Sequence, residues 1–133
     1  MKNEMRLALK KLKQAVKRLE EVVHHAKSDI VRDAAIQRFE FTFELLWKTL
    51  KIFLEAKGVL ARTPKDTFRE AFRLGLIRDE AAFLKMLDAR NIMSHVYDER
   101  EARQIYKEVT HRFIKPIQSC LRELEKQHTK DRL

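Results

Sequence analysis

Glycine and proline are almost missing from this chain, with two of each in 133 residues. So few breakers leave no material for a run of hairpins or for long irregular loops, and the class left open is helical. Cysteine occurs once, as Cys120, so no internal disulfide can form. Its place in an apolar helical stripe marks it as a core thiol, not a nucleophile. There is no run of about 18 apolar residues, and so no membrane span is expected. The stretch from Met1 to Arg18 lacks the apolar centre of a secretory signal, which predicts a cytoplasmic protein. No glycine-rich loop is present to cradle a nucleotide. His24 and His25 are adjacent and do not face one way on a helix, so they make no metal pair. No metal and no cofactor are expected.

Charge is what the chain has in plenty. Charged residues make up 37% of it, and the formal net charge is +9. Seven of the first 18 residues are Lys or Arg, against Glu4 alone. A cationic face of that density attracts polyanions, nucleic acid first. It equally suits a solvated helix face that keeps the protein in solution, and charge by itself does not separate the two.

Apolar periodicity predicts four long helices and a short one. Met5, Leu9, Leu12, Val16, Leu19 and Val23 repeat at intervals of four and three, a heptad seam over about 3–25. Ser28 and Asp29 offer caps for a second helix over about 30–57. That helix carries Phe39, Phe41, Phe43, Leu45, Leu46, Trp47, Leu50, Ile52, Phe53 and Leu54 around most of its circumference, as a central buried helix would. Gly58 suits its C-terminal end. Thr63-Pro64 opens a short helix with Phe68, Ala71 and Phe72 inward and Gly75 at its end. Asp79 caps a fourth helix along Phe83, Leu84, Leu87 and Ile92. Asp98, with Glu101 three residues on, caps a fifth along Ala102, Ile105, Val109, Phe113, Ile117, Cys120 and Leu124. Pro116 should kink or break that helix, and a polar tail over 126–133 should fray. The expected fold is all-α: one domain over 1–133, an up-down four-helix bundle with one extra short helix, and dimerising.

Chemistry concentrates between Arg90 and Asp98. Arg-x4-His is a weak motif alone, because Arg and His are frequent enough to meet by chance. Arg18 with His24 or His25, and Arg122 with His128, read as surface accidents of that kind. Arg90 differs because Phe83, Leu87 and Arg90 share one helix face. Its guanidinium therefore points toward protein or a dimer seam, where it needs a partner. That partner is either an acid, with Asp88, Glu40 and Glu44 in reach, or a substrate phosphate held in the planar donor fork. Positions five apart on a helix lie about 140° apart around the axis. Convergence of Arg90 and His95 thus demands that the helix end near residues 92–94. Glu40, Glu44 and Lys48 read as an ion-pair row, and Trp47 reads as core.

The residue types suit cleavage of RNA. A neutral imidazole at His95 can take the proton of a ribose 2′-hydroxyl, or an imidazolium can protonate the leaving 5′-oxygen. Arg90 can hold the phosphate and offset its developing charge. Asn91 and Ser94 can position substrate, and Tyr97 can stack on a base or donate a hydrogen bond.

Two segments taken together carry a family resemblance. They are Gln37-Arg38-Phe39-Glu40-Phe41-Thr42-Phe43-Glu44-Leu45-Leu46-Trp47-Lys48 and Met86-Leu87-Asp88-Ala89-Arg90-Asn91-Ile92-Met93-Ser94-His95-Val96-Tyr97-Asp98-Glu99. The chain resembles the HEPN superfamily, in the branch of nucleotidyltransferase substrate-binding proteins, from about Leu7 to Leu124. The resemblance implies a small helical bundle that forms a homodimer and is encoded beside a minimal nucleotidyltransferase (MNT). It implies a HepT-like ribonuclease toxin, independent of metal, with the transferase as antitoxin. By position, Arg90 and His95 match the catalytic pair, Asn91 the polar residue after the arginine, and Tyr97 the tyrosine that the transferase modifies with AMP. An AMP on Tyr97 would set a bulky anion beside Arg90 and His95 and repel RNA. The alternative the resemblance leaves open is a non-catalytic substrate-binding subunit of a two-component nucleotidyltransferase.

Overall fold

The computed structural model describes residues 2–25, 28–95 and 98–131, with side chains at all of these except 2, 93–95 and 131. The heptad seam forms α1, Lys2–Val23. Met5, Leu9, Leu12, Val16 and Leu19 are buried, while Val23 at its end is half-buried. This seam packs on α2, Asp29–Ala56, and along the C-terminal helix. Ser28 caps α2 by accepting from the Val31 N–H at 3.1 Å. At the other end Gly58 takes φ +79°, and the Val59 N–H returns to the Leu54 carbonyl at 2.9 Å. That left-handed closure satisfies carbonyls the helix leaves open and costs glycine nothing.

α2 is central, as its composition predicts, but it is not apolar all round. Its buried line is Ile36, Phe39, Phe43, Leu46, Leu50, Phe53 and Leu54. Phe41 is exposed and Leu45, Trp47 and Ile52 are only half-buried. Position 41 lies about 200° around the axis from both 39 and 43, so a helix that buries those two must turn it outward.

Thr63 caps α3, Pro64–Arg73, accepting from the Asp66 N–H at 3.1 Å, with Pro64 in the first turn. Phe68 and Ala71 face inward as expected, whereas Phe72 is exposed. Asp79 accepts from the Ala82 N–H at 3.1 Å and starts α4, Glu80–His95. The face α4 buries is Ala82, Phe83, Met86 and Ala89; Leu84 and Leu87 flank it, and Ile92 is exposed.

Asp98 caps α5, Glu99–Glu108, through the Glu101 N–H at 2.9 Å. Of the kink or break expected at Pro116, the break does not occur. A π turn over Val109–Phe113 precedes it, with the Ile114 N–H reaching the Val109 carbonyl, and α6 continues as Ile114–Asp131. Proline has no N–H, and its ring crowds the carbonyl one turn back. A single wide turn placed there absorbs the misfit without ending the helix. Nor does the tail fray over the described residues. α6 runs to Asp131, and His128, read from sequence as a surface residue, is 92% buried against Phe53 with ring centroids 6.4 Å apart.

Three helices and the π turn are joined by phenylalanines. Phe113 stacks on Phe39 at 5.4 Å, Phe39 meets Phe43 at 6.2 Å, Phe43 meets Phe68 at 5.7 Å, and Phe68 meets Phe83 at 5.3 Å. Tilted and edge contacts of this kind add to the burial of each ring. The observed fold is the expected all-α bundle of four long helices and one short one, with α5, the π turn and α6 together making the fourth long helix. Among the described residues no helix is long and apolar enough to cross a membrane.

Candidate functional site

The outer edge of that aromatic core carries Arg90. Its guanidinium carbon lies 5.6 Å from the centre of the buried Phe43 ring, so the cation rests on an aromatic face. Both Nε and Nη2 donate to one oxygen of Glu44, Oε1, at 2.9 and 2.6 Å. Nη1 donates to Asn91 Oδ1 at 3.1 Å. Of the acids in reach by sequence, Glu44 on α2 is the one whose carboxylate pairs closely with Arg90, and the pair ties α4 to the central helix.

Glu44 also has partners of its own. Its second oxygen, Oε2, accepts from the Trp47 indole N–H at 3.1 Å and lies 3.9 Å from the Lys48 ammonium. Trp47 is therefore only partly core, since its polar edge orients the acid. Burial by itself would raise the Glu44 carboxyl. The hydrogen bonds from Arg90 and Trp47, with the charges of Arg90 and Lys48, outweigh that and hold it below its ordinary range. Glu40, one turn earlier, goes the other way. Partial burial raises its carboxyl, and the charge of Arg90 offsets only part of the rise. The two glutamates of the predicted ion-pair row thus differ: Glu44 joins Arg90 to Lys48, while Glu40 is the more readily protonated.

Beside this cluster a groove of about 770 Å³ runs between α1 and α2. Arg18, Arg38, Glu40, Phe41 and Glu44 line it, and Arg38 is fixed by donating to the Arg18 carbonyl at 2.8 Å. Exposed Phe41 beside two arginines gives it an apolar wall with a cationic rim. The sequence signal for this groove was the position of Phe41 opposite Phe39 and Phe43, which an all-round apolar reading hides.

The motif itself meets one correction. The helix break expected near residues 92–94 is absent, and α4 continues through His95. Backbone positions 90 and 95 therefore lie about 140° apart on one helix and share no face within a single chain. Asn91 is exposed and holds Arg90. The side chains of Ser94 and His95, and the whole of Tyr97, lie outside the described residues. Cys120 is 99% buried, and burial followed by the charge of Glu123 pushes its thiol far up, out of the reactive range. No cluster of three or more His, Cys, Asp or Glu able to hold a metal ion occurs among the described residues.

Comparison with known proteins places this geometry among relatives. Residues 3–126 match the family described as nucleotidyltransferase substrate binding protein like. A curated protein of Haemophilus influenzae, named probable ribonuclease HepT, is 38% identical over 86 residues. That match spans 61% of this chain and 59% of the relative, less than two thirds of its length. A crystal structure of a Thermus thermophilus protein is 36% identical with a TM-score of 0.78, over 85% of this chain and 98% of the other. A Haemophilus influenzae structure described as the fold of a substrate binding domain of a nucleotidyltransferase is 31% identical with a TM-score of 0.67. It covers 94% of this chain and 99% of its own.

Proposed function

Because the chain belongs to the nucleotidyltransferase substrate-binding-like family, as a HepT-like member of the HEPN superfamily, we propose that it is a metal-independent endoribonuclease toxin. It acts in the cytoplasm as a homodimer and is held in check by a partner minimal nucleotidyltransferase that transfers AMP to Tyr97. The observation that carries this reading is Arg90, a guanidinium seated on the Phe43 ring at the edge of the core and held there by Glu44.

In the proposed reaction Arg90 binds the scissile phosphate through its donor fork. Neutral His95 takes the proton of the ribose 2′-hydroxyl. The freed 2′-oxygen attacks phosphorus, the bond from phosphorus to the 5′-oxygen breaks, and the imidazolium gives its proton to that oxygen, leaving a cyclic phosphate, a 5′-hydroxyl and neutral His95. Arg90 offsets the charge that grows on the phosphate oxygens. Asn91 steadies Arg90, and Ser94 positions the ribose. The helical separation of positions 90 and 95 favours a site built from two copies, in which the motifs of both protomers border one cleft. AMP on Tyr97 would fill the phosphate subsite with a bulky anion and exclude RNA.

The test is direct. Purified protein incubated with RNA in EDTA should cut it, and His95→Ala should abolish cutting; equal cutting by that variant ends the proposal. Mixing Arg90→Ala and His95→Ala proteins should restore part of the activity if two copies share a site. A second reading draws on the relative described as a substrate binding domain of a nucleotidyltransferase. Here the bundle presents substrate to an enzyme partner and cuts nothing. A protein harmless on solo expression that alters only its partner's rate would favour it.

A further inference from the structure

A second cleft lies away from Arg90, between α6 and the segment that leads into α4. Its volume is about 370 Å³. Four cations border it: Arg78 from that segment, and Lys115, Arg122 and Lys126 from α6. The three on α6 follow intervals of seven and four, which sets them in one row along the helix. All four are exposed, and among the described residues none is ion-paired. Arg122 donates only to the Ser119 hydroxyl, at 3.2 Å.

The cleft holds two acids, and both are already engaged. Asp79 accepts from the Ala82 N–H as the cap of α4, and Glu123 accepts from Gln127 Nε2 at 3.1 Å. The cleft therefore carries a surplus of two positive charges. Its floor is Phe83 and Cys120, both buried, so one wall of low dielectric lies under the cations. Unpaired cations around a concave apolar floor concentrate field where the same charges on a convex helix would be screened. A solvated surface explains single lysines but gives no reason for cations from two segments to converge on one cleft in excess of its acids.

We propose that this cleft is a second phosphate subsite, which grips the backbone of an RNA strand at a distance from the bond that is cut. The choice of RNA as the polyanion rests on the ribonuclease reading. Along α4 the helix start at Glu80 and Arg90 are about 15 Å apart, so a strand of several nucleotides would reach from one site to the other.

The experiment measures binding, not cleavage. A labelled RNA strand with every 2′-hydroxyl methylated cannot be cut by 2′-oxygen attack, and its affinity for the full chain is read by fluorescence anisotropy across a salt series. Lys115→Gln/Arg122→Gln should keep the melting temperature, weaken binding about tenfold and flatten the salt slope by one to two counterions. Lys10→Gln/Lys17→Gln on the outer face of α1 is the control of equal charge. Equal losses in the two doubles would reduce the effect to net charge and overturn the proposal. AMP and inorganic pyrophosphate form a second arm. Weak competition by both is expected, whereas tight AMP binding lost in the cleft variant, with RNA binding intact, would assign the cleft to a free nucleotide and overturn the RNA subsite. The two proposals fail separately. A chain that cuts RNA while its cleft variant binds normally keeps the nuclease and loses the subsite. One that cuts nothing, while its cleft variant loses binding, does the reverse.

Discussion

Glu44→Gln isolates the contact on which the site is built. It removes the charge that Arg90 faces while leaving an oxygen to accept from Trp47. A hydrogen bond to a charged partner is worth about 1.5–3 kcal/mol, and an exposed ion pair about 0–1 kcal/mol. Glu44 is 36% and Arg90 28% exposed, so solvent screens part of the interaction. A loss of about 1 kcal/mol is expected at neutral pH after that discount. With an unfolding entropy near 2.1 cal/mol/K for each residue, it lowers the melting temperature by about 4 °C.

The pH dependence is the sharper part. The folded protein holds the Glu44 carboxyl below its ordinary value. Its contribution is therefore fully present above the unfolded carboxylate pKa, about 4.3, and is lost as pH falls through the folded value. Melts of the parent and variant from pH 7 to pH 3 should show a gap that closes toward the acid end. In 1 M salt at pH 7 the gap should shrink, because half-exposed charges are screened. A gap that persists unchanged at pH 3, or none at pH 7, would refute the pairing as the source of the stability.

Other perturbations probe separate parts of the same framework. Glu40→Gln should stabilise the protein at pH 7 and lose that advantage near pH 3. The folded pKa of Glu40 is raised, so its contribution is present below the unfolded pKa and fades as pH rises through the folded one; destabilisation at pH 7 would contradict this. Phe43→Ala should cost about 3–5 kcal/mol in chemical denaturation, because the ring is fully buried in the aromatic chain and supports Arg90. Gly58→Ala should cost about 1–2 kcal/mol from backbone strain alone, since φ is +79° and no atom lies within 4 Å of an added methyl. Cys120 should resist a thiol reagent in the native protein and react once denatured; prompt native reaction would contradict its burial.

Local signals in the sequence located most of the framework because they act locally. Ser28, Thr63, Asp79 and Asp98 each accept from the N–H three residues ahead, and such caps depend on neighbours alone. Gly58 and Gly75 fall at left-handed ends for the same reason. What periodicity could not decide was competition between faces. Phe41, Phe72 and Ile92 are apolar by composition yet exposed, because each sits off the line that its helix buries. At Pro116 the two alternatives, a distorted helix or a broken one, stay open in the sequence because a proline forbids a bond but does not say whether the chain ends or widens by one residue. Placement of Arg90 toward protein followed from its helix face. Selection of Glu44 over Glu40 and Asp88 depended on the packing of α4 against α2, which no short spacing encodes. The cationic cleft needed α6 and the Arg78 segment to meet across the bundle.

The division of Glu44's two oxygens bears on how an arginine already paired with an acid can serve a substrate. Oε1 takes both donors from Arg90, whereas Oε2 faces Trp47 and Lys48. If an RNA phosphate draws Arg90 away, Glu44 keeps an indole N–H and an ammonium on its other oxygen and is not left as an uncompensated buried anion. The cost of the exchange is therefore far below that of breaking a buried pair, which runs to about 3–5 kcal/mol. Before substrate arrives, Glu44 and the Phe43 ring hold the guanidinium in place, so less freedom is lost on binding. Removing Lys48 should make the exchange harder, because Glu44 would then hold Arg90 against the phosphate with less to replace it. Lys48→Gln should weaken binding of a short RNA by more than loss of the exposed Lys57 at the C-terminal end of the same helix. Equal effects of the two would mean that Lys48 acts through net charge and that Glu44 does not hand Arg90 over.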